Sequence, residues 1–161
     1  MVRYSVFLFL MLCLAASVAS AGDIAIDPKA PAYHNARFGF SLSWTPGQYA
    51  VFEADNGDGI TVTDGKGLTM RAYAELTPRA GDATRESFFA QANKKPAAVY
   101  KRVDRQQGWY AVSYREGGNI VYTKQFYNKD HWPTVRFEYP KAMRQAYDAL
   151  VKKAVATFRP F

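Results

Sequence analysis

Thr134-Val135-Arg136-Phe137-Glu138-Tyr139-Pro140 is the stretch that decides how the chain folds. Val135, Phe137 and Tyr139 alternate with Thr134, Arg136 and Glu138, the period of two that marks a strand with one buried face. Pro140 then stands at a favoured first-turn position of a helix, where its missing N–H is no loss. Met143, Tyr147, Leu150, Val151, Ala154 and Phe158 follow at helical spacing and make one apolar stripe. Arg144, Asp148 and Lys152 lie four apart on the other side and can pair. The spacing predicts a final helix laid on a sheet by its Met143–Phe158 stripe, with Leu150 inside, ending before Arg159-Pro160.

Working back from that strand, three more are predicted at about Ala98 to Val103, Trp109 to Arg115 and Ile120 to Tyr127. The last two join through Glu116-Gly117-Gly118-Asn119, a tight-hairpin signal. Before them, Asp82 or Thr84 can cap a helix running to Asn93, with Phe88, Phe89 and Ala92 inward and Lys94-Lys95-Pro96 as its stop. Pro78 to Asp82 is a loop. Ile60 to Thr63 and Leu68 to Glu75 form a hairpin across Asp64-Gly65-Lys66-Gly67, and Tyr49 to Glu53 is a short strand. In Arg37 to Trp44, Phe38, Phe40, Leu42 and Trp44 alternate with Arg37, Gly39, Ser41 and Ser43, which predicts another half-buried strand. The elements predict an α+β fold: a single antiparallel sheet with two main helices packed on it.

Residues 1–21 read differently. Met1-Val2-Arg3 leads an apolar run from Tyr4 to Ala16, and Ala19-Ser20-Ala21 precedes Gly22. A charged start, a short apolar run and a small-x-small site make a signal peptide cleaved between Ala21 and Gly22, with export to the periplasm or beyond. Residues 22–35 carry Asp27-Pro28 and Ala30-Pro31 without periodicity and read as a flexible or extended lead-in; residues 36–161 form one domain. The chain is 48% hydrophobic and 16% aromatic, enough for a core without disulfides. Its one cysteine, Cys13, lies in the leader, with Leu12 where a lipid-attachment motif needs a small residue. Arg3 is the one charged residue among the first 21, so the formal net charge of +7 falls to +6 without them. That excess suits an acidic protein or an anionic envelope component as partner. Nucleic acid is not expected for an exported protein, and no membrane span follows the leader.

The chemistry-bearing patterns are sparse. Asp55-Asn56-Gly57-Asp58-Gly59 resembles part of a calcium loop. Setting Gly59 at the sixth position, however, leaves Ala54 and Gly65 where the first and twelfth ligands belong, so a tight turn is expected. His34 and His131 have no ligand-pair spacing. Ser41, Ser43, Ser87 and Ser113 sit in no nucleophile elbow, and the glycines mark turns rather than a phosphate loop. No catalytic residue, metal or cofactor is expected. The sequence reads as a non-enzymatic binding or accessory domain. The alternatives are an envelope hydrolase with dispersed carboxylates and an inhibitor or immunity-type protein.

Trp109, Tyr110, Tyr114, Tyr122, Phe126 and Tyr127 crowd one hairpin, with Tyr110 and Tyr114 on one face and Trp109 on the other. Most such aromatics pack across strands. With the basic residues beside them, Lys101, Arg102, Arg105, Arg115 and Lys124, they form the partner-binding candidate: Trp109, Arg115, Tyr122, Lys124 and Tyr127.

Together, Arg37-Phe38-Gly39-Phe40-Ser41-Leu42, Asn56-Gly57-Asp58-Gly59, the Asp64-Gly65 turn, Ile120-Val121-Tyr122-Thr123-Lys124 and the closing Tyr139-Pro140 helix ending in Phe158 resemble a family of small exported bacterial proteins of unassigned function. The layout is also similar to the PsbP/DcrB-type α/β/α sandwich. The resemblance spans nearly the whole chain after the leader. It rests on turns and strand patterns, so it implies a fold and carries over no catalytic or metal residue.

Overall fold

The computed structural model describes residues 26–27, 29–77, 84–95 and 97–161. The leader, Cys13, the Ala21–Gly22 junction, Asp82 and Pro96 lie outside them. The architecture is α+β, with strands β1 (Ala32–Asn35), β2 (Phe40–Ser43), β3 (Ala50–Glu53), β4 (Gly59–Thr63) and β5 (Thr69–Leu76) preceding helix α1 (Arg85–Ala90). Then come β6 (Tyr100–Asp104), β7 (Trp109–Glu116), β8 (Asn119–Phe126), β9 (His131–Pro140), helix α2 (Arg144–Thr157) and the short β10 (Arg159–Pro160). Thr84 is the cap of α1: its hydroxyl accepts from the Ser87 amide at 3.1 Å. One 3-10 turn, Gln91–Asn93, continues α1 and buries Ala92.

The strands make two sheets, not the single sheet the sequence predicts. Seven run antiparallel in the order β3-β4-β5-β9-β8-β7-β6, and three form a separate sheet in the order β1-β2-β10. The alternation in Arg37 to Trp44 shows which side chains are buried but not which strands they pair with. Here β2 turns its hydrogen bonds to β1 and β10 instead of to the large sheet. Gly39, at φ +61°, delays the strand to Phe40, while Phe40 and Leu42 are fully buried as the alternation requires. The last four residues of the lead-in are β1 itself.

The β7–β8 hairpin forms as its turn chemistry demands, with Gly117 and Gly118 both at positive φ, 54° and 85°. Pro140 departs from expectation: it ends β9, and a 3-10 turn, Lys141–Met143, intervenes before α2. The buried face of α2 is Tyr147, Val151 and Ala154, followed by Phe158; Leu150 is only half-buried at its flank.

Two cores result, one on each face of the large sheet. On one face, α2 and the small sheet close over Val62, Met70, Trp109, Phe126 and Phe137. Phe158 anchors this layer, its ring centroid 5.9 Å from Phe40 and 5.7 Å from Phe126. On the other face, Phe88 and Phe89 of α1 pack with Tyr110, Val112, Tyr114 and Trp132.

Candidate functional site

The hairpin aromatics divide between these cores. Trp109 is 8% exposed on the α2 face, and its indole N–H donates to Gln107 Oε1 at 3.0 Å. Tyr127 lies on the opposite face, 5.5 Å from the Phe88 ring and under the Arg85 guanidinium. The five predicted partner-binding residues therefore do not share one surface. Arg115, Tyr122 and Lys124 share the α2 face with Trp109; Tyr127 does not join them.

On that shared face a groove of about 680 Å³ runs between α2 and strands β6 to β8. Its volume lies in the range of small-ligand and peptide clefts, roughly 300–1,000 Å³. Tyr100 of β6 and Tyr122 of β8 form its floor, with ring centroids 6.2 Å apart and planes 25° apart. Burial, and after it the neighbouring Tyr100, pushes the Tyr122 phenol above its ordinary pKa, so it stays neutral. Arg115, Lys141, Arg144 and Lys152 stand around the groove. The one acid there is committed: Asp148 accepts from the Tyr139 hydroxyl at 2.7 Å and from Arg144 Nε at 2.9 Å. Burial alone would raise the Asp148 carboxyl, but those two donors outweigh it and hold the group below its usual range. Among the described residues, Arg115, Lys141 and Lys152 have no carboxylate partner.

The positive band continues past the groove. Lys124 follows Tyr122 by two residues on the same face of β8, and Arg102 follows Tyr100 on β6, each roughly 7 Å further along its strand. Lys124 Nζ sits 4.7 Å from the ring centroids of both Trp109 and Phe126, and the Arg102 guanidinium lies 5.2 Å from Trp109. Burial, then the charges of Arg159 and Arg102, hold the Lys124 ammonium below its ordinary pKa. Like charges gathered around an aromatic floor leave an unbalanced positive potential that an anion would relieve.

Of the five residues grouped from the sequence, the structure puts Arg115, Tyr122 and Lys124 on one face with Trp109. The sequence reading did not single out Lys141, in the turn before α2, and set Lys152 on the exposed side of the helix; the packing of α2 brings both to the groove. The sequence reading also missed the polar centre of the other face. There Gln125, 5% exposed, receives the Tyr110 hydroxyl and donates to Glu75 Oε2 at 2.7 Å and Thr134 Oγ1 at 2.9 Å. Beside it Arg136 binds the Tyr114 hydroxyl, Glu116 and Glu138. Asp55 to Gly59 forms the turn between β3 and β4, closed by the Gly57 amide on Ala54 O at 2.8 Å and by Asn56 Nδ2 on Asp58 at 2.8 Å. His131 begins β9, its Nε2 2.8 Å from Phe38 O; His34 stacks on Phe161. Among the described residues no three of His, Cys, Asp and Glu converge as a metal site, and no helix is long and apolar enough to cross a membrane.

A seven-stranded antiparallel sheet with one helix on each face and a small accessory sheet defines a PsbP-like α+β fold. The chain is similar to the solution structure of cyanobacterial PsbP (CyanoP) from Synechocystis sp. PCC 6803, with a TM-score of 0.58 and 14% identity. The match covers 89% of this chain and 99% of that one. No protein-family model and no curated protein matches the sequence.

Proposed function

We propose that this chain is an exported, non-enzymatic binding or accessory domain whose groove between α2 and β6–β8 receives an acidic protein partner. One observation carries the reading: Arg115, Lys141 and Lys152 surround a tyrosine-floored groove without carboxylate partners of their own among the described residues. Aromatic surface with arginine is the composition of binding hot spots. Uncompensated cations speed and orient the approach of an anionic surface. The carboxyls Asp64, Glu138 and Asp148 are each held below their ordinary range by hydrogen bonds that tie the fold together. They are ionised structural acceptors, and a hydrolase acid would need the opposite shift. The leader at residues 1–21 supports an extracytoplasmic location.

Titrating isotopically labelled protein with poly-L-glutamate tests the site. Resonances of Tyr100, Arg115, Tyr122 and Lys152 should shift, and affinity should fall steeply with salt. The variant R115A/K141A/K152A should bind roughly tenfold more weakly with an unchanged melting temperature. Shifts scattered over the whole surface, or equal binding by the variant, would overturn the groove. Binding of an anionic polysaccharide without poly-L-glutamate would move the partner class to an envelope polymer.

A further inference from the structure

The large sheet has two edges, and they differ. At the β3 edge, the Tyr33 hydroxyl of the small sheet reaches Glu53 at 3.5 Å, and Asn35 Nδ2 bonds Gly57 O at 3.1 Å. The β6 edge is bare among the described residues. β6 pairs with β7 alone, and Tyr100, Lys101, Arg102 and Val103 are all exposed. Val99, Tyr100 and Val103 are 61%, 44% and 40% exposed, large apolar side chains in a segment without a bulge or internal proline. An edge of this kind presents unpaired N–H and C=O groups as a template for another strand. The same edge is a wall of the groove, because Val99 and Tyr100 line both.

We infer that β6 is a docking edge onto which an extended acidic segment of the partner adds as an eighth strand, feeding alternate side chains into the groove. This rests on the acidic-partner reading above and specifies how that partner is held. Strand addition supplies main-chain hydrogen bonds for affinity and pockets for alternate side chains for specificity. On the groove face the incoming strand meets Tyr100 and Arg102; on the other it meets Lys101, whose Nζ already bonds Asn93 Oδ1 at 2.8 Å, and Val103. Directly opposed side chains in neighbouring strands interact, and like charges there are unfavourable. A carboxylate therefore belongs opposite Arg102 on the groove face, and an apolar residue opposite Val103 on the other, which an alternating acidic–apolar strand supplies. A second copy of this chain fits badly: pairing β6 antiparallel with itself about its centre sets Arg102 against Arg102. In that register the cations repel a second copy, whereas an acidic strand relieves them.

The test uses a ten-residue peptide alternating Glu with Val, with its Lys–Val counterpart as charge control. Two further versions are N-methylated, one at every Glu and one at every Val, so that each blocks one hydrogen-bonding edge of the extended peptide. The parent peptide is expected to bind and to slow amide exchange within Tyr100–Asp104. One methylated version should lose roughly tenfold or more in affinity while the other keeps it, since only one edge faces β6. Equal binding by both methylated versions and the parent would overturn strand addition and leave the acidic groove standing. Binding of poly-L-glutamate without the alternating peptide would do the same. Equal binding by the Lys–Val peptide would overturn the charge argument, and with it both readings.

Discussion

Tyr147 on α2 donates its hydroxyl to Asp64 Oδ2 in the β4–β5 turn at 2.6 Å. The other oxygen of Asp64 accepts the amides of Lys66, Gly67 and Leu68, so one carboxylate both shapes the turn and moors the helix. Tyr139 of β9 reciprocates by donating to Asp148 of α2. The helix that walls the groove is thus fixed to the sheet by two phenol–carboxylate bonds whose directions oppose each other.

The first bond makes stability depend on pH at both ends. Burial would raise Asp64, but the Tyr147 hydroxyl and the three amides hold its carboxyl below the usual range. The Tyr147 phenol, chiefly because it donates to Asp64 and then because it is buried, is pushed up to about 12. A lowered carboxyl stabilises the fold above its unfolded value of about 4, and that contribution is lost as pH falls through the lower folded value. A raised phenol contributes fully below about 10, and its contribution is lost as pH climbs toward the folded value. Tyr147→Phe should cost about 1 kcal/mol at pH 7 and soften both losses. Urea unfolding from pH 3 to 11 checks this; a variant curve parallel to the native one throughout would refute the bond's role.

Phe158 joins the two sheets, so its removal should be far costlier than that of its helical neighbour Leu150. Phe158→Ala should destabilise by about 3–5 kcal/mol, the range for a fully buried aromatic. Leu150→Ala, at a half-buried site, should cost about 1 kcal/mol. Equal losses in denaturant titrations would mean that α2 presents a different face to the sheet.

Lys124 should trade stability against binding. Its folded-state pKa is lowered, so the folded protein binds fewer protons than the unfolded chain between that value and about 10.4, and stability rises with pH through the interval. Lys124→Met should raise neutral-pH stability by about 0.5 kcal/mol, discounted for the partial exposure of the site, and abolish the alkaline rise. It should also weaken poly-L-glutamate binding. A destabilised variant with unchanged binding would make Lys124 a packing residue.

Export is tested at the N-terminus. Protein recovered from the cell envelope should begin at Gly22, as N-terminal sequencing or intact mass will show. Retained Met1, or a lipid on Cys13, would contradict cleavage between Ala21 and Gly22.

The large sheet was legible because β5, β7, β8 and β9 are long and their turns carry Asp-Gly and Gly-Gly. The small sheet was not. β1 lies within a proline-bearing segment without periodicity, and β10 has two residues, one of them Pro160. Which strands Phe40 to Ser43 would join depended on closure in three dimensions. Helical spacing found the apolar stripe of α2 but did not separate Leu150 from Val151, adjacent positions about 100° apart on the helix. For the site, the sequence grouped Trp109, Arg115, Tyr122, Lys124 and Tyr127 by residue type and proximity along one hairpin, without assigning Arg115, Tyr122 and Lys124 to a face. Tyr127 was separated from them because the sheet is covered on both sides. Lys152 reaches the groove through the docking of α2, and Lys141 through the turn that joins β9 to it, which no local pattern encodes.

The small sheet also sets an order of events. Thr157 Oγ1 donates to Ser43 O at 2.7 Å and accepts its amide at 2.9 Å, and Arg159 pairs with Ser41, so β2 is completed from more than a hundred residues away. Contacts that distant carry a large loop-closure entropy and slow folding. While the chain folds, the Phe40–Leu42 face lacks the cover of Phe158 and β10 until residues 157–160 dock. Native resistance to proteolysis in the early half of the chain is therefore expected to appear in a late step of folding.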